Sequence, residues 1–213
     1  MKPCQLDVAK KVISSVQEMQ PPRNKTQLRS FLGMCNVYRR FVKDFATIAS
    51  PLNRLLRKTE ADNFELDEKA LKSYEILRER LASPAVLNVP RLDLTYVLDT
   101  DADANQVGCV LMQKHKANSL RPIGYFSKTL TKTERNYDTT EREALRIIWA
   151  VLLLRPYLES TNFTLRTDHG ALKWIFGSTQ KSGKLARWRL RLQEFYFEAV
   201  SYTHLTLPTI YSV

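Results

Sequence analysis

The chain of 213 residues contains 33 lysines and arginines but only 22 aspartates and glutamates, which gives a formal net charge of +11 at pH 7. This excess favours a polyanionic partner such as a nucleic acid, although an inert basic surface would have the same composition. The three cysteines form no CxxC pair, the longest apolar run is far too short to span a membrane, and the amino end lacks a signal peptide. We therefore expect an intracellular protein with reduced cysteines and no membrane contact.

Residues 1–60 are predicted to be helical and basic. Thr26 is the predicted N-cap of a helix whose apolar residues recur at helical spacing after Pro21 and Pro22. Asp44 is the only acidic residue between positions 21 and 58, whereas a solvated helix normally carries both signs. We predict that the basic side chains of this region contact a nucleic acid; they are Arg23, Lys25, Arg29, Arg39, Arg40 and Lys43.

The charge pattern changes after residue 60. A group of acidic residues precedes an amphipathic helix with apolar positions from Leu71 to Leu81, and Ser83 and Pro84 end that helix. We place a domain boundary near residue 88.

Beyond this boundary the pattern predicts short strands, followed by alternating helices and strands. The predicted strands are residues 94–98, 107–112, 123–127, 163–167 and 197–202. The predicted helices are residues 140–154, 171–176 and 185–195. Short connections between the first three strands predict an antiparallel meander, and the whole order predicts a mixed sheet covered by helices.

Three acidic residues lie at the ends of these elements. Asp101 follows the first strand, Glu143 lies in the first turn of the long helix, and Asp168 follows the fourth strand. If the two strands are parallel neighbours, the carboxylates meet at one edge, where they would repel one another without bound cations. Oxygen ligands suit Mg²⁺, and two such ions about 4 Å apart would suit attack of water on a phosphodiester.

Each of these carboxylates also has a purely structural interpretation. Glu143 follows Thr140 by three residues, which is the spacing of a helix capping box. Asp101 could belong to a polar turn with Asp103, and Asp168 could cap the helix that follows it. Spacing alone leaves both interpretations open.

Residues 183–193 predict a basic amphipathic helix. Its basic and aromatic side chains could follow a phosphate backbone and stack on a base; they are Lys184, Arg187, Trp188, Arg189 and Arg191. The alternative is a helix that covers the sheet with Leu185, Trp188 and Leu192 inward. Both interpretations hold if one face packs while the arginines stay in solvent.

Several blocks resemble one family in the same order. The segment PPRNKTQLRSFLGMCNVYRRFVKDFATIASPLNRLL is similar to the thumb and connection region of reverse transcriptases from gypsy-like long-terminal-repeat (LTR) retrotransposons. Four later segments resemble the ribonuclease H domain that follows this region in the family. They are VLDTDADANQVGCVLMQ, PIGYFSKTLTKTERNYDTTEREALRIIWAV, FTLRTDHGALKWIF and LARWRLRLQEF. The resemblance runs from about residue 5 to about 200, and ordered blocks are more specific than a single motif.

The resemblance implies an α/β fold, with a ribonuclease H-like mixed five-stranded sheet flanked by helices and preceded by a small, mainly helical region. It implies residues 1–87 as the thumb and connection region and residues 88–200 as a ribonuclease H-like domain without its C-terminal helix. Residues 201–213 contain no acidic residue and resemble a foreign tail, whereas the family continues into a helix with a fourth catalytic aspartate.

The resemblance also implies a reaction and its partners. Asp101, Glu143 and Asp168 would be catalytic ligands of Mg²⁺, for which Mn²⁺ can substitute. The implied activity is endonucleolytic hydrolysis of the RNA strand in RNA–DNA hybrids, with the N-terminal region binding template-primer. The other implied partner is the rest of a Pol polyprotein, with the polymerase palm upstream and an integrase downstream. The implied location is a cytoplasmic particle and the nucleus.

Two departures and two alternatives accompany this interpretation. Asp103 and Gly170 replace a small residue and a lysine that are common in the family. Since the fourth carboxylate and the palm are missing, the chain could be a nucleic-acid-binding fragment that is catalytically weak or inactive. A strand-transferring recombinase would have the same fold, but the TDHGALKW and ARWRLRLQEF blocks argue against it.

Overall fold

The computed structural model describes residues 5–6, 19–57, 64–82, 87–103, 105–115, 119–167, 169–177 and 183–201. Contacts divide the chain into two units. Unit 1 comprises the described residues up to Val89 together with Gly124–Thr129. Unit 2 comprises the described residues within Pro90–Ile123 and the described residues from Leu130 onward. The boundary predicted near residue 88 lies beside this division, but nothing in the sequence predicted that residues 124–129 group with unit 1.

The described part of unit 1 is mainly helical. Its helices and its single 3-10 turn are α1 (Lys25–Val37), the turn Arg39–Phe41, α2 (Phe45–Arg54) and α3 (Glu68–Ala82). Two short strands, β1 (Gln5–Leu6) and β2 (Leu87–Asn88), pair antiparallel.

The N-cap of α1 is Asn24, so the prediction of Thr26 was wrong. The side-chain oxygen of Asn24 accepts a hydrogen bond from the Gln27 N–H at 2.8 Å. Asparagine caps a helix at least as well as threonine, and its position one residue before Lys25 lets it reach a first-turn amide that Thr26, inside the helix, cannot reach.

One apolar cluster fills unit 1. The predicted helical spacing of Leu28, Phe31, Leu32 and Cys35 is confirmed, since all four are buried. They pack against buried residues of the later helices, and the ring centroids of Phe31 and Tyr74 lie 4.6 Å apart. Burial of each large side chain contributes about 1.5–3 kcal/mol, which makes this cluster the main source of stability for the unit.

Residues 124–129 contribute a polar contact to the start of α2. Asp44 precedes that helix in a left-handed conformation (φ 57°) and its side chain caps no amide. Instead, Ser127 Oγ accepts a hydrogen bond from the Ala46 N–H at 2.9 Å, and the Ser127 carbonyl oxygen accepts one from the Arg39 guanidinium at 2.7 Å. Ser127 is buried, and both hydrogen bonds are partly shielded from water.

Unit 2 is built on a mixed sheet whose strand order is β5–β4–β3–β6–β7. The strands are β3 (Tyr96–Asp103), β4 (Gln106–Lys114), β5 (Leu120–Thr129), β6 (Asn162–Thr167) and β7 (Tyr196–Ser201). Strand β3 pairs antiparallel with β4 and parallel with β6, and β6 pairs parallel with β7. The predicted five-stranded mixed sheet is therefore confirmed.

Five helices accompany this sheet among the described residues. They are α4 (Lys132–Arg135), α5 (Thr139–Leu153), α6 (Arg155–Leu158), α7 (His169–Gly177) and α8 (Gly183–Leu192). The short helices α4 and α6 were not predicted, because four residues give no readable apolar period. In α5 the buried residues Ala144, Ile147, Ile148 and Val151 form one face, and α5 packs on β3 and β4. No described helix has the length and apolar character that crossing a membrane requires.

The contact of Ser127 with α2 predicts a local effect of mutation. Ser127→Ala removes the acceptor of the Ala46 N–H, which costs about 1 kcal/mol for a lost helix cap. Hydrogen exchange of the Ala46 amide, measured by NMR, should become about fivefold faster, because exchange follows the free energy of local opening. Thr129→Ala, at an exposed position of the same strand, is the control, and unchanged exchange in the Ser127 variant would contradict the cap.

The two described cysteines should be unreactive in the folded protein. Burial raises the pKa of the Cys35 and Cys109 thiols to about 12. At pH 8 only about one thiol in ten thousand is then ionised, and the thiolate is the reactive form. Iodoacetamide followed by peptide mapping should label neither residue until urea is added. Rapid labelling of either cysteine without urea would contradict this account.

Candidate functional site

Asp101 lies within a strand, not in a turn. Strand β3 continues to Asp103, and Asp101 pairs with Gly108 of β4, which has no side chain to crowd it. The alternative that Asp101 belongs to the polar turn is therefore wrong. Its side chain is exposed and forms no hydrogen bond or ion pair with another described residue.

The neighbourhood of Asp101 is defined by the pairing of β3 with β6. The parallel register places Asp99 opposite Arg166, and Arg166 Nη1 lies 3.3 Å from Asp99 Oδ2. Because side chains alternate along a strand, Asp101 lies on the same face of β3 as Asp99, two residues closer to the end of the strand. Strand β6 ends at Thr167, whose side chain is buried.

Glu143 lies in α5 and is not part of a capping box. The N-cap of α5 is Asp138, whose side chain accepts from the Glu141 N–H at 2.7 Å, so Thr140 is already inside the helix. A capping box does occur in this region, between Thr131 and Glu134 at the start of α4. Glu143 is half-buried and its carboxylate forms no hydrogen bond or ion pair within the described part of the chain. The structural alternative for Glu143 is thus wrong.

Asp168, the third predicted ligand, lies outside the described residues. The described residues, which do not include Asp168, contain no group of three histidine, cysteine, aspartate or glutamate side chains that could bind a metal ion. The three-carboxylate metal site therefore stays a prediction. The donors of Asp101 and Glu143 fit Mg²⁺ or Mn²⁺, since both are carboxylates that form no ion pair with another described residue.

The basic helix α8 has two kinds of side chain. Leu185 and Leu192 are buried, as predicted for a helix that covers the sheet, and Trp188 is half-buried. The predicted nucleic-acid contacts that are exposed are Arg187, Arg189 and Arg191. One face therefore packs while the arginines point to solvent.

Lys184 differs from these arginines because the protein itself surrounds its ammonium group. Lys184 Nζ lies 2.5 Å from Glu141 Oε1 and 3.8 Å from the centroid of the Tyr137 ring. The Trp188 ring lies 5.4 Å from the same nitrogen and 6.2 Å from the Tyr137 ring. We call Tyr137, Glu141, Lys184 and Trp188 the Lys184 cluster. No sequence motif indicated it, because Tyr137 and Glu141 lie more than 40 residues before Lys184 and Trp188 in the chain.

The predicted contacts of unit 1 also divide into two groups. Arg23, Arg29 and Lys43 are exposed, and Lys25 is half-buried at the start of α1. Arg39 and Arg40 are exposed as well, but each also contacts an aromatic ring. The Arg39 guanidinium donates to the Ser127 carbonyl oxygen and lies 5.3 Å from the Phe45 ring. The Arg40 guanidinium lies 5.9 Å from the Phe126 ring.

Comparisons with known proteins agree with the fold. Residues 91–195 match the family described as "RNase H-like domain found in reverse transcriptase". The chain is 36% identical over 182 residues to the "Retrovirus-related Pol polyprotein from transposon 412" of Drosophila melanogaster, over 85% of this chain and 14% of that protein. It is 37% identical over 200 residues to that from "transposon opus" of the same organism, over 89% of this chain and 20% of that protein.

The "Transposon Tf2-3 polyprotein" of Schizosaccharomyces pombe is 36% identical over 200 residues, over 92% of this chain and 14% of that protein. The chain thus spans only 14–20% of the length of these three relatives.

Solved structures show the same fold at low sequence identity. The foamy viral protease-reverse transcriptase in complex with dsDNA has a TM-score of 0.78 at 19% identity, over 96% of this chain and 43% of that one. Its complex with RNA/DNA hybrid has a TM-score of 0.73 at 19% identity, over 97% of this chain and 28% of that one.

The contacts of Arg39 predict that it stabilises unit 1. Arg39→Ala removes a charged hydrogen bond and a contact with an aromatic ring, and we expect the free energy of unfolding to fall by about 1 kcal/mol. Arg29→Ala, at an exposed position without a described contact, should change it by less than about 0.5 kcal/mol. Urea unfolding followed by circular dichroism measures both, and equal midpoints for the two variants would contradict a structural role for Arg39.

Proposed function

Residues 91–195 belong to the RNase H-like domain family found in reverse transcriptases, in a chain homologous to LTR retrotransposon Pol polyproteins, and from this premise we propose that the chain hydrolyses the RNA strand of RNA–DNA hybrids. Asp101, Glu143 and Asp168 are the proposed catalytic residues. The observation that carries this proposal is that Asp101 and Glu143 have no structural use among the described residues. Asp101 lies in a strand opposite Gly108, and the helix that contains Glu143 is capped by Asp138.

The proposed site would bind Mg²⁺, with Mn²⁺ as a substitute. Three carboxylates at one edge of a sheet repel one another, so their shared charge favours a divalent cation with oxygen ligands. The chemistry supplied by such ions when bound is activation of a water molecule and stabilisation of charge on the attacking and leaving oxygens. Asp101 and Glu143 would hold the ions beside the scissile phosphate, and the exposure of Asp101 leaves room for the backbone of a nucleic acid.

The proposed substrate contacts are the exposed basic residues. On α8 these are Arg187, Arg189 and Arg191, which present positive charge beside a packed face. In unit 1 we propose that the exposed Arg23, Arg29 and Lys43 and the half-buried Lys25 bind template-primer. Such contacts neutralise phosphates and release counterions, so affinity should fall as salt rises. The foamy viral protease-reverse transcriptase in the structures of similar fold is in complex with dsDNA and with RNA/DNA hybrid, which supports a nucleic-acid substrate.

Neutralising the catalytic carboxylates should separate cleavage from binding. Asp101→Asn and Glu143→Gln keep the shape of each side chain but remove a charged metal ligand, and we expect cleavage of a labelled RNA–DNA hybrid to be lost while hybrid affinity stays within about twofold. Glu198→Gln, at an exposed position of β7 in the same sheet, is the matched control and should cleave normally.

Three outcomes of this experiment are informative. Cleavage by the unsubstituted chain that disappears with a chelator, and in both carboxylate variants, supports the nuclease. Cleavage retained by either variant would remove that residue from the site. Hybrid binding that weakens with salt, with no cleavage by the unsubstituted chain in Mg²⁺ or Mn²⁺, would instead favour a binding module without catalysis.

A further inference from the structure

We infer that Lys184 is a positioning residue: by its contacts with Glu141 and Tyr137 it fixes the first turn of α5, and with it Glu143, against α8. Charge and the nearby Trp188 alone would instead predict a nucleic-acid contact for Lys184. The inference depends on the proposed function for the statement that Glu143 binds a metal ion.

The Lys184 cluster connects α8 both to the residue that precedes the N-cap of α5 and to the first turn of α5. Tyr137 lies directly before the N-cap Asp138, and Glu141 is the third residue of the helix. One ammonium group therefore contacts the segment that enters α5 and the first turn itself. Trp188 lies one turn after Lys184 on α8 and contributes the second aromatic ring. Helix ends fray readily, so this contact adds to the Asp138 cap in ordering the first turn.

The geometry of an α-helix connects Glu141 to Glu143. The two residues are two positions apart, so their side chains leave the helix axis in directions that differ by roughly 200°. Lys184 contacts one flank of α5 at its first turn, and Glu143 lies on the opposite flank, just beyond that turn. A carboxylate about 5 Å from the axis moves by about 1 Å when the turn rotates by about 10°. A displacement of that size is enough to impair catalysis about 100-fold.

The charge balance of the cluster disfavours a phosphate at Lys184. The ammonium group already has a carboxylate partner and lies over the face of two rings. Its side chain is 29% exposed and that of Glu141 is 22% exposed. A phosphate brought to this nitrogen would also come close to the Glu141 carboxylate, and the two anions would repel. Arg187 and Arg191 are exposed on the same helix and form no ion pair with another described residue.

The test uses the full chain with Lys184→Met, Glu141→Gln, both together, and Lys184→Arg. Lys114→Met and Glu198→Gln are matched controls at exposed positions of the same unit. Thermal unfolding establishes that each variant is folded. Three quantities are then measured: Mn²⁺ affinity by electron paramagnetic resonance, kcat and KM on a labelled RNA–DNA hybrid, and the slope of log hybrid affinity against log salt concentration.

We expect Lys184→Met, Glu141→Gln and the double variant to weaken Mn²⁺ binding and lower kcat by the same factor, about 10- to 100-fold. Equal effects in the single and double variants are the mark of two residues that act as one unit. KM and the salt slope should remain those of the unsubstituted chain, because no phosphate contact is removed. Lys184→Arg should retain most of both activities, since arginine keeps the charge and stacks on aromatic rings.

Two results would overturn the inference. A salt slope reduced by about one in Lys184→Met but not in Glu141→Gln would show a phosphate contact. Unchanged Mn²⁺ affinity and kcat in both single variants would show that the cluster positions nothing. If Lys184→Met does not fold, Glu141→Gln, which keeps the shape of its side chain, decides the question.

The same measurements distinguish this inference from the proposed function. A chain that cleaves, with variants that cleave equally well, leaves the nuclease intact and removes the positioning role. A chain that binds Mn²⁺ but does not cleave still tests positioning through the Mn²⁺ affinity of the variants. A chain that neither binds Mn²⁺ nor cleaves overturns both proposals.

Discussion

The parallel pairing of β3 with β6 is the constraint on which the arrangement of unit 2 depends. Parallel neighbours cannot be joined by a tight turn, so the chain between them must cross over, and here the crossover contains β4, β5 and the helices α4 to α6. As a result, Asp101 and the end of β6 lie at one end of the sheet, and α5 is brought onto β3 and β4. The proposed active site follows from this crossover, not from any local motif.

Much of this architecture could be predicted because it depends on local patterns. Every predicted strand beyond residue 88 is present, and α5 begins one residue from its predicted start, since its buried face repeats at helical spacing. The helix caps were less predictable. Thr26 and Thr140 both have suitable side chains, yet Asn24 and Asp138 take those roles, because the choice depends on where the backbone leaves the helix.

The basic residues show most clearly what spacing cannot determine. Arg29, Arg39 and Lys184 are equally plausible phosphate contacts when only their neighbours in sequence are known. Their environments differ because the partners of two of them lie far away, with Ser127 separated from Arg39 by 88 residues and Glu141 from Lys184 by 43. A positive net charge therefore overstates the charge available to a ligand, since part of it is neutralised or covered inside the fold.

The contribution of β5 to both units has a consequence for how such sequences can be inherited. Residues 124–129 supply the acceptor for the first turn of α2, although more than 70 residues of chain separate the two segments. A single recombination breakpoint near residue 89 would join α2 from one parent to Ser127 from another. Two related sequences that recombine at that point would keep the cap of α2 only if both lineages retain a hydroxyl at the position of Ser127. The two units are thus neighbours in the gene but not independent modules of exchange.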